Sequence, residues 1–495
     1  MARIHLIGVC GTAMATLAAM LKHRGHDVTG SDEHVYPPMS DFLAAESIAA
    51  REGYSPEHIT TAIDLVVVGN AISRGNAELE AVLDRGVRYA SLPETIRDQW
   101  LWDAQSIVIA GTHGKTTTTS LAGWLLTAAG ADPTVLIGGI ARNFGGGPHD
   151  ADSASWGGSV EGASYRIGKG KAFVIEGDEY DSAYFDKTAK FLKYLPDIAV
   201  VNNIEFDHAD IYANLEEVRL AFRRFVNLVP RSGLVLLGTD SPDAAALKAH
   251  ARSRVQTFGL SEGADWRATD IQGPHDADLA SPGGIRVRGG TCFRVHAGGR
   301  DHGEFTMGLL GEHNVRNALA AIAVGADLGL DIEALRSALA GFKGVKRRLE
   351  VVGEARGVTV YDDFAHHPTA VDETLRAVRN AAPGHRVWAI FEPRSASSCR
   401  RVFQDDFVRA FAGADEVVLA SVFRSSLPES ERLSEAGLVE DLKRRNVRAR
   451  HLPSVEAIVD AVSKEARDGD LVVVMSNGGF GGIHQKLVAA LAAGA

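Results

Sequence analysis

The chain has 495 residues, 45% hydrophobic and 23% charged; at roughly 150 residues per domain it has room for about three domains, and this composition excludes collagenous, disordered and disulfide-scaffold classes. Lys and Arg number 52 against 63 Asp and Glu, a net charge of -11, which argues against a nucleic-acid partner held by general counterion release but allows a locally positive pocket for a small anion. Three scattered cysteines, Cys10, Cys292 and Cys399, are too few for a disulfide framework or a metal knuckle and fit a reducing compartment.

The first twenty residues carry Arg3, an apolar stretch and Ala13-Met14-Ala15, yet His5 interrupts the stretch and the pattern continues into a folded unit. A secretory leader is therefore not expected. No apolar run reaches the roughly 18 to 20 residues of a membrane span, so no membrane insertion is expected and the cytosol is the expected address.

Strand-like runs then alternate with helical patterns, which predicts α/β units on largely parallel sheets. Residues 4–8 predict a strand that opens into a Gly-containing turn, 13–23 an apolar helix, and 27–30 and 65–69 further strands, a Rossmann-like start. The turn GVCGTAM at 8–14 resembles a dinucleotide fingerprint with Cys10 in the place of its second Gly and Ala13 in the third. The helix beginning near Thr12 can hold a pyrophosphate, and Asp32 can hydrogen-bond a ribose; close helix packing without a ligand is the plainer alternative. A domain boundary is expected near residue 104.

A second beginning follows at 106–110, where IVIAGTHGKTTTTS at 107–120 sets Gly111, Gly114, Lys115 and Thr116 between a strand and a helix. Backbone N–H groups there cradle an anion, a lysine offers charge to the β and γ phosphates and a hydroxyl can bind Mg²⁺. The loop departs from GxxxxGK[ST] in that Ile109 stands at the first Gly. Glu176, Asp178, Glu179 and Asp181 follow the strand at 172–175, and Asp207 and His208 in NIEFDHAD follow another at 198–202. Acids and an imidazole at the carboxyl ends of parallel strands suit a divalent ion on nucleotide phosphates; solvated loops are the alternative.

The Gly- and Ser-rich stretch 153–170 reads as a loop, and 265–306 as a small antiparallel excursion. In GEHNVRN at 311–317, Asn314 and Asn317 share a helix face and could pair with an adenine edge, or make an N-cap and an interior polar contact. The basic run 343–348 ends in Arg347 and Arg348 at the next expected junction, and strands at 358–361, 387–391, 416–420 and 471–475 predict a third α/β domain. YDDFAHHP at 361–368 places Asp362, Asp363, His366 and His367 after a strand. Adjacent histidines need not face one ion and no cysteine is near, so zinc is not expected.

In this order, from residue 107 to 368, the motifs resemble the Mur ligases of peptidoglycan synthesis, and the Rossmann-like start extends the likeness upstream. VYPPMS at 35–40, EGDEYD at 176–181, FEPRS at 391–395 and SNGGFGGIHQKL at 476–487 are similar to the recycling branch of that family. The branch that adds L-alanine shares the central motifs and remains the alternative. The resemblance implies three α/β domains: a Rossmann-like UDP-sugar domain (1–104), a central P-loop-type mononucleotide-binding domain that takes ATP (105–344), and a Rossmann-like domain for the peptide that closes on ATP (345–495).

It implies ATP-driven joining of L-alanyl-γ-D-glutamyl-meso-diaminopimelate to UDP-N-acetylmuramate through an acyl phosphate, in peptidoglycan recycling and cell-wall biogenesis. By motif, Gly111, Thr112, His113, Gly114, Lys115, Thr116 and Thr117 would hold the ATP phosphates. His313, Asn314 and Asn317 would take adenine, Arg348 the γ-phosphate, and Asp363 the ribose or a bridging contact. Thr116 would bind one Mg²⁺ and Glu176 with His208 a second, with Lys115, His208 and Arg348 catalytic. Gly8, Cys10, Gly11, Thr12, Ala13, Met14, Ser31, Asp32 and Asn70 would bind the UDP-sugar, and Arg394 and Ser395 a peptide carboxylate. Family members with a carbamylated lysine carry it downstream of NIEFDHAD; residues 218–226 here have Arg219, Arg223 and Arg224 and no lysine, so no carbamate bridge is expected. Outside the family, a nucleotide-dependent oxidoreductase leaves Lys115 and the later acids unexplained, and a noncatalytic nucleotide switch would not turn over ATP only when both other substrates are present.

Overall fold

The computed structural model describes residues 1–37, 39–145, 162–273, 290–423 and 427–493. Residue 38 of VYPPMS, the Gly- and Ser-rich loop through 161, and 274–289 of the antiparallel excursion lie outside the described residues. The chain forms two compact units. The first comprises Met1–Ile204, Glu216–Trp266 and Ala320–Ala338; the second comprises Glu205–Leu215, Arg267–Leu319 and Leu339–Ala495.

The first unit opens with a five-stranded parallel sheet in the order Ala49–Glu52, Asp27–Asp32, Arg3–Ile7, Leu65–Val68, Tyr89–Ser91. The order reverses at Arg3–Ile7, so the carboxyl ends of Arg3–Ile7 and Leu65–Val68 flank a crevice of the kind that takes ligands in open α/β sheets. Ile4, Leu6, Ile7, Val66, Val67 and Val68 are buried, as is the stripe Met14, Leu17, Ala18, Leu21 of the helix Thr12–His23. The outer strands Ala49–Glu52 and Tyr89–Ser91 escape a hydropathy reading: they are short and contain no Val, Ile or Leu.

The unit's other sheet runs Arg254–Gly259, Leu234–Gly238, Ile198–Val201, Gln105–Ala110, Ala172–Gly177, Thr134–Ala141, Ala163–Arg166, parallel except for the last pair. Its central strands are buried along their length, hence their unbroken Val and Ile content. Ile109 faces Glu176 in the register and Ala110 faces Val201. Gln105–Ala110 therefore lies between the strand that carries Glu176 and the strand that precedes Asn202.

In the second unit, Thr291–Ala297 and Arg300–Met307 pair antiparallel, with a bulge between Arg294 and His296. A six-stranded sheet follows in the order Glu350–Ala355, Val358–Asp363, Leu471–Met475, Val387–Phe391, Glu416–Leu419, Arg448–His451, parallel except for its first pair. Alternate side chains pack into two cores: Val387, Ala389, Phe391 and Val473 on one face, Trp388, Ile390, Val472 and Val474 on the other. Phe391, fully buried, meets Phe407 and Phe411 at ring distances of 5.0 and 5.4 Å; truncation to Ala there costs about 3–5 kcal/mol. The predicted helices at 314–326 and 331–339 are Glu312–Asp327 and Ile332–Ala340. No helix among the described residues is long and apolar enough to cross a membrane.

Candidate active site

The strand Gln105–Ala110 turns at Gly111, φ 139°, and the helix Lys115–Ala128 starts from Gly114, φ 80°. Only glycine adopts such φ values cheaply, and a Cβ on Gly111 would lie 3.0 Å from the Asn202 side chain. Asn203 pins the loop: its carbonyl accepts from Thr112 N (3.1 Å) and its Oδ1 from His113 N (2.8 Å). Asn202 Nδ2 donates to Thr118 at 3.0 Å. Thr116 and Thr117 are buried in the first turn.

Lys115 Nζ donates to the Gly111 and Thr112 carbonyls at 2.8 and 3.3 Å and to both oxygens of Glu179 at 2.8 and 3.1 Å. Burial pulls the Lys115 pKa down, but Glu179, Asp178 and Glu176 more than offset that, and the ammonium ends above its ordinary value. Glu176 accepts from Thr116 Oγ1 at 2.9 Å and from Gly138 N at 2.7 Å. Burial and the neighbouring Asp178 raise its pKa, against Lys115 and those two donors. A Cβ on Gly138 would sit 2.8 Å from Glu176 Oε2, so this glycine makes space for the carboxylate. Hydroxyl and carboxylate oxygens side by side are hard donors that fit Mg²⁺.

The acids that follow one strand in sequence separate in space. Glu176 and Glu179 join the loop, Asp178 lies 3.5 Å from Lys190, and Asp181 pairs with Lys187 at 2.6 Å and with Asn70 Nδ2 at 3.1 Å. By motif Glu176 is the acid expected at the loop, yet Glu179 is the one that engages Lys115.

At the N-terminal crevice, Gly8 has φ 84°, and the N–H groups of Gly8 and Val9 both donate to the Ser31 carbonyl at 2.8 and 3.0 Å. Cys10 N donates to Asp32 Oδ2 at 2.8 Å. Asp32 thus secures the turn, in addition to any ribose contact. The helix Thr12–His23 has no side-chain cap, and Gly11, Thr12 and Ala13 are exposed while Met14 is buried. An uncapped helix start at exposed residues is the arrangement that can accept an anion.

The Ser31 hydroxyl points elsewhere: it is fully buried and donates to Glu78. Glu78, itself fully buried, also accepts from His58 Nδ1 at 2.5 Å and Ser55 N at 3.3 Å and lies 3.4 Å from His5 Nε2. Burial raises the Glu78 pKa, but the His5, Ser31 and His58 contacts prevail and leave it below the usual glutamate value.

In the second unit His208 has φ 52°, and its N–H meets Asp207 Oδ1 at 2.7 Å. Asp207 is buried and takes the Ser397 hydroxyl; burial raises its pKa, but His208, His366 and His367 hold it far below the carboxylate range. His366 Nδ1 lies 3.0 Å from the Phe364 carbonyl and His367 Nε2 3.2 Å from that of Phe206, so the adjacent rings use separate partners.

Asn314 Nδ2 donates to the Leu310 carbonyl at 2.8 Å, and Asn317 Nδ2 to Asn314 Oδ1 at 3.1 Å. The two amides share a face as expected and also bond to each other. Burial lowers the pKa of His313 despite Glu373 and Asp363.

The arginine pair divides its work. Arg347 reaches Asp362 at 3.2 Å and the carbonyls of Ser476 and Gly478 at 2.7 and 2.8 Å, while Arg348 lies 5.0 Å over the Phe364 ring. Asp363 accepts from Leu349 N (2.7 Å), Ala365 N (2.8 Å) and the Thr374 hydroxyl (3.2 Å), and burial raises its pKa against Arg348.

Phe391 pairs with Met475 in adjacent parallel strands, so FEPRS and SNGGFGG emerge side by side. Glu392 receives the Ser476 hydroxyl at 2.5 Å, and Arg394 Nη1 lies 3.5 Å from Glu392. Ser395 Oγ donates to Ser398 Oγ at 2.8 Å. Glu392 was not singled out from sequence, where its place one residue past a buried strand is the available signal.

Three family models match the chain: "Mur ligase family, catalytic domain" over residues 3–99, "Mur ligase middle domain" over 109–325 and "Mur ligase, glutamate ligase domain" over 347–478. The chain is 38% identical to the UDP-N-acetylmuramate–L-alanyl-γ-D-glutamyl-meso-2,6-diaminoheptandioate ligase of Escherichia coli (strain K12), over 99% of this chain and 98% of the relative. It is 37% identical to the UDP-N-acetylmuramate–L-alanine ligase of Kineococcus radiotolerans, over 96% and 93%. Among solved structures, a murein peptide ligase from Psychrobacter arcticus 273-4 matches with TM-score 0.69 and 34% identity over 99% of both chains. Its three α/β domains and near full-length likeness place this chain in the Mur ligase family.

Proposed function

We propose that this chain is an ATP-dependent ligase that joins the free amine of L-alanyl-γ-D-glutamyl-meso-diaminopimelate to the lactyl carboxylate of UDP-N-acetylmuramate, in the cytoplasmic recycling of peptidoglycan. One observation carries the choice of acceptor: FEPRS and SNGGFGG, which resemble the peptide-adding branch, lie together at the ends of adjacent strands with Arg394 among them. The proposed domains are residues 1–104 for the UDP-sugar, 105–344 for ATP and 345–495 for the peptide.

The uncapped helix at Thr12 would take the diphosphate of the UDP-sugar, with Asp32 holding the turn. Lys115 would meet the ATP phosphates, its charge maintained by Glu179. Thr116 and Glu176 would hold Mg²⁺, with His208 as a further ligand by its place in NIEFDHAD; bound Mg²⁺ neutralises phosphate charge. The lactyl carboxylate oxygen attacks the γ-phosphorus, releasing ADP and forming an acyl phosphate. The peptide amine then attacks the acyl carbon, loses a proton, and inorganic phosphate leaves. Charge develops on the phosphoryl oxygens, so prepositioned cations are the main contribution. Asn314 and Asn317 would take adenine and Arg348 the γ-phosphate. Of the two roles open to Asp363, the bridging one suits a carboxylate that already accepts from the N–H groups of Leu349 and Ala365 on two segments.

The test is kcat/KM for the tripeptide and for L-alanine with the same UDP-sugar, with product mass as identification. Preference for the tripeptide supports this reading; preference for L-alanine assigns the chain to the other branch.

A further inference from the structure

Arg394 is held in an unusual way for a partly exposed arginine. Its guanidinium carbon lies 3.7 Å from the centroid of the Phe423 ring, although that ring is 56% exposed. On Gly478 a Cβ would overlap the Arg394 Nε and Cδ, so the side chain passes where only a glycine leaves space. Gly478 has no positive φ to explain it as a turn residue. Close passage of the arginine does explain it.

Backbone contacts fix both walls. Phe423 N donates to the Pro393 carbonyl at 2.9 Å and Ala420 N to the Phe391 carbonyl at 2.9 Å, which ties the Phe423 segment to FEPRS. Arg347 holds the Gly478 carbonyl at 2.8 Å, and Gly478 N donates to Ser476 Oγ at 2.9 Å. Among the described residues the guanidinium has one polar contact, the 3.5 Å approach to Glu392, which is too long to use up its donors. A planar cation stacked on an aromatic face and passing close to bare backbone has its plane restricted while its N–H groups remain for a ligand. Two parallel hydrogen bonds to a carboxylate need a fixed plane, and preorganising it lowers the entropy lost on binding.

We propose that Phe423 and Gly478 are specificity-determining residues for the acceptor: they clamp the Arg394 guanidinium for a carboxylate of the incoming peptide. The inference rests on the reading that Arg394 meets such a carboxylate. An acceptor whose carboxylates do not reach Arg394 gains nothing from the clamp, so the clamp widens the gap between a tricarboxylate peptide and a single amino acid.

The experiment is steady-state kinetics on Phe423→Leu, Phe423→Trp, Gly478→Ala, Arg394→Ala and the double variant Phe423→Leu/Arg394→Ala, with tripeptide and ATP varied in turn. Phe423 is exposed, so its replacement leaves the fold in place. Phe423→Leu should raise the tripeptide KM about three- to fivefold, the scale of a cation–π contact at an exposed site, with kcat and the KM for ATP unchanged. Phe423→Trp should restore it. Gly478→Ala, which displaces the guanidinium, should raise the tripeptide KM more than Phe423→Leu does. In the Arg394→Ala background Phe423→Leu should add nothing. If Arg394→Ala raises the tripeptide KM but Phe423→Leu does not, the clamp is overturned and the acceptor reading stands. If Arg394→Ala leaves that KM unchanged, both fall.

Discussion

The turn after Arg3–Ile7 and the turn after Gln105–Ala110 are built alike: a buried parallel strand, a glycine of positive φ and the open N-terminus of a helix. They differ in where charge is kept. In the first turn the Asp32 carboxylate is engaged by the Cys10 N–H, the helix start carries no side-chain cap, and the ionisable cluster Glu78, His5 and His58 lies behind it, tied to the Ser31 hydroxyl. In the second, Lys115, Glu176 and Glu179 are in the loop or against it. A diphosphate that passes through the reaction unchanged needs only to be positioned, whereas a phosphoryl group that is transferred needs charge where charge develops. On the proposed function, the first turn does the former and the second the latter.

The largest expected effect follows from that contrast. Lys115→Ala should lower kcat/KM by about 3 kcal/mol or more in transition-state terms, by analogy with other preorganised electrostatic donors, while thermal unfolding stays cooperative. A folded variant that ligates at the wild-type rate would erase the distinction between the turns.

Thr116→Ala and Glu176→Ala should each raise the Mg²⁺ concentration needed for half-maximal rate, and the double change should cost less than the sum, because groups on one ion act as a unit. Unaltered Mg²⁺ titrations in both single variants would remove the metal from this loop.

Behind the first turn, Glu78→Gln should lower stability by about 1–3 kcal/mol at neutral pH, the range for disturbing a buried hydrogen-bonded carboxylate. The folded-state pKa of Glu78 is depressed, so its contribution is fully present above the usual glutamate value of about 4.3 and is lost as pH falls through the folded value. Melting curves of the variant and the parent should therefore converge in acid. A constant gap across that window would mean that Glu78 acts through packing and not through its charge.

The smallest effect is expected at Cys10, where the turn uses the backbone N–H. Cys10→Ala should change the KM for UDP-N-acetylmuramate by less than about twofold, as surface substitutions generally do; a large rise would make the thiol part of the site.

Much of this was legible in the sequence. Val387–Phe391 and Leu471–Met475 fall where continuous apolar runs place them, because strands covered on both faces have no polar side to interrupt the run. The strand–turn–helix at 105–128 was legible because Gly111 and Gly114 stand together between an apolar run and a helical pattern. What escaped depends on which way a side chain turns after a strand ends. EGDEYD does not tell that Glu179 meets Lys115 while Asp178 and Asp181 go to Lys190 and Lys187. Ser31 follows the pattern of a ligand-facing residue, yet strand alternation aims its hydroxyl at Glu78, forty-seven positions later. Gly138 and Gly478 carry no local signal, since the Glu176 and Arg394 side chains that need their space come from distant segments.

The central claim is that the loop around Lys115 transfers a phosphoryl group to the sugar carboxylate. Its most direct test is to supply UDP-N-acetylmuramate labelled with ¹⁸O in the lactyl carboxylate, with ATP, Mg²⁺ and the tripeptide, and to measure the isotope in the released phosphate. An acyl phosphate requires one labelled oxygen per phosphate formed, with ADP as the nucleotide product. Unlabelled phosphate, or label recovered in AMP, would contradict it.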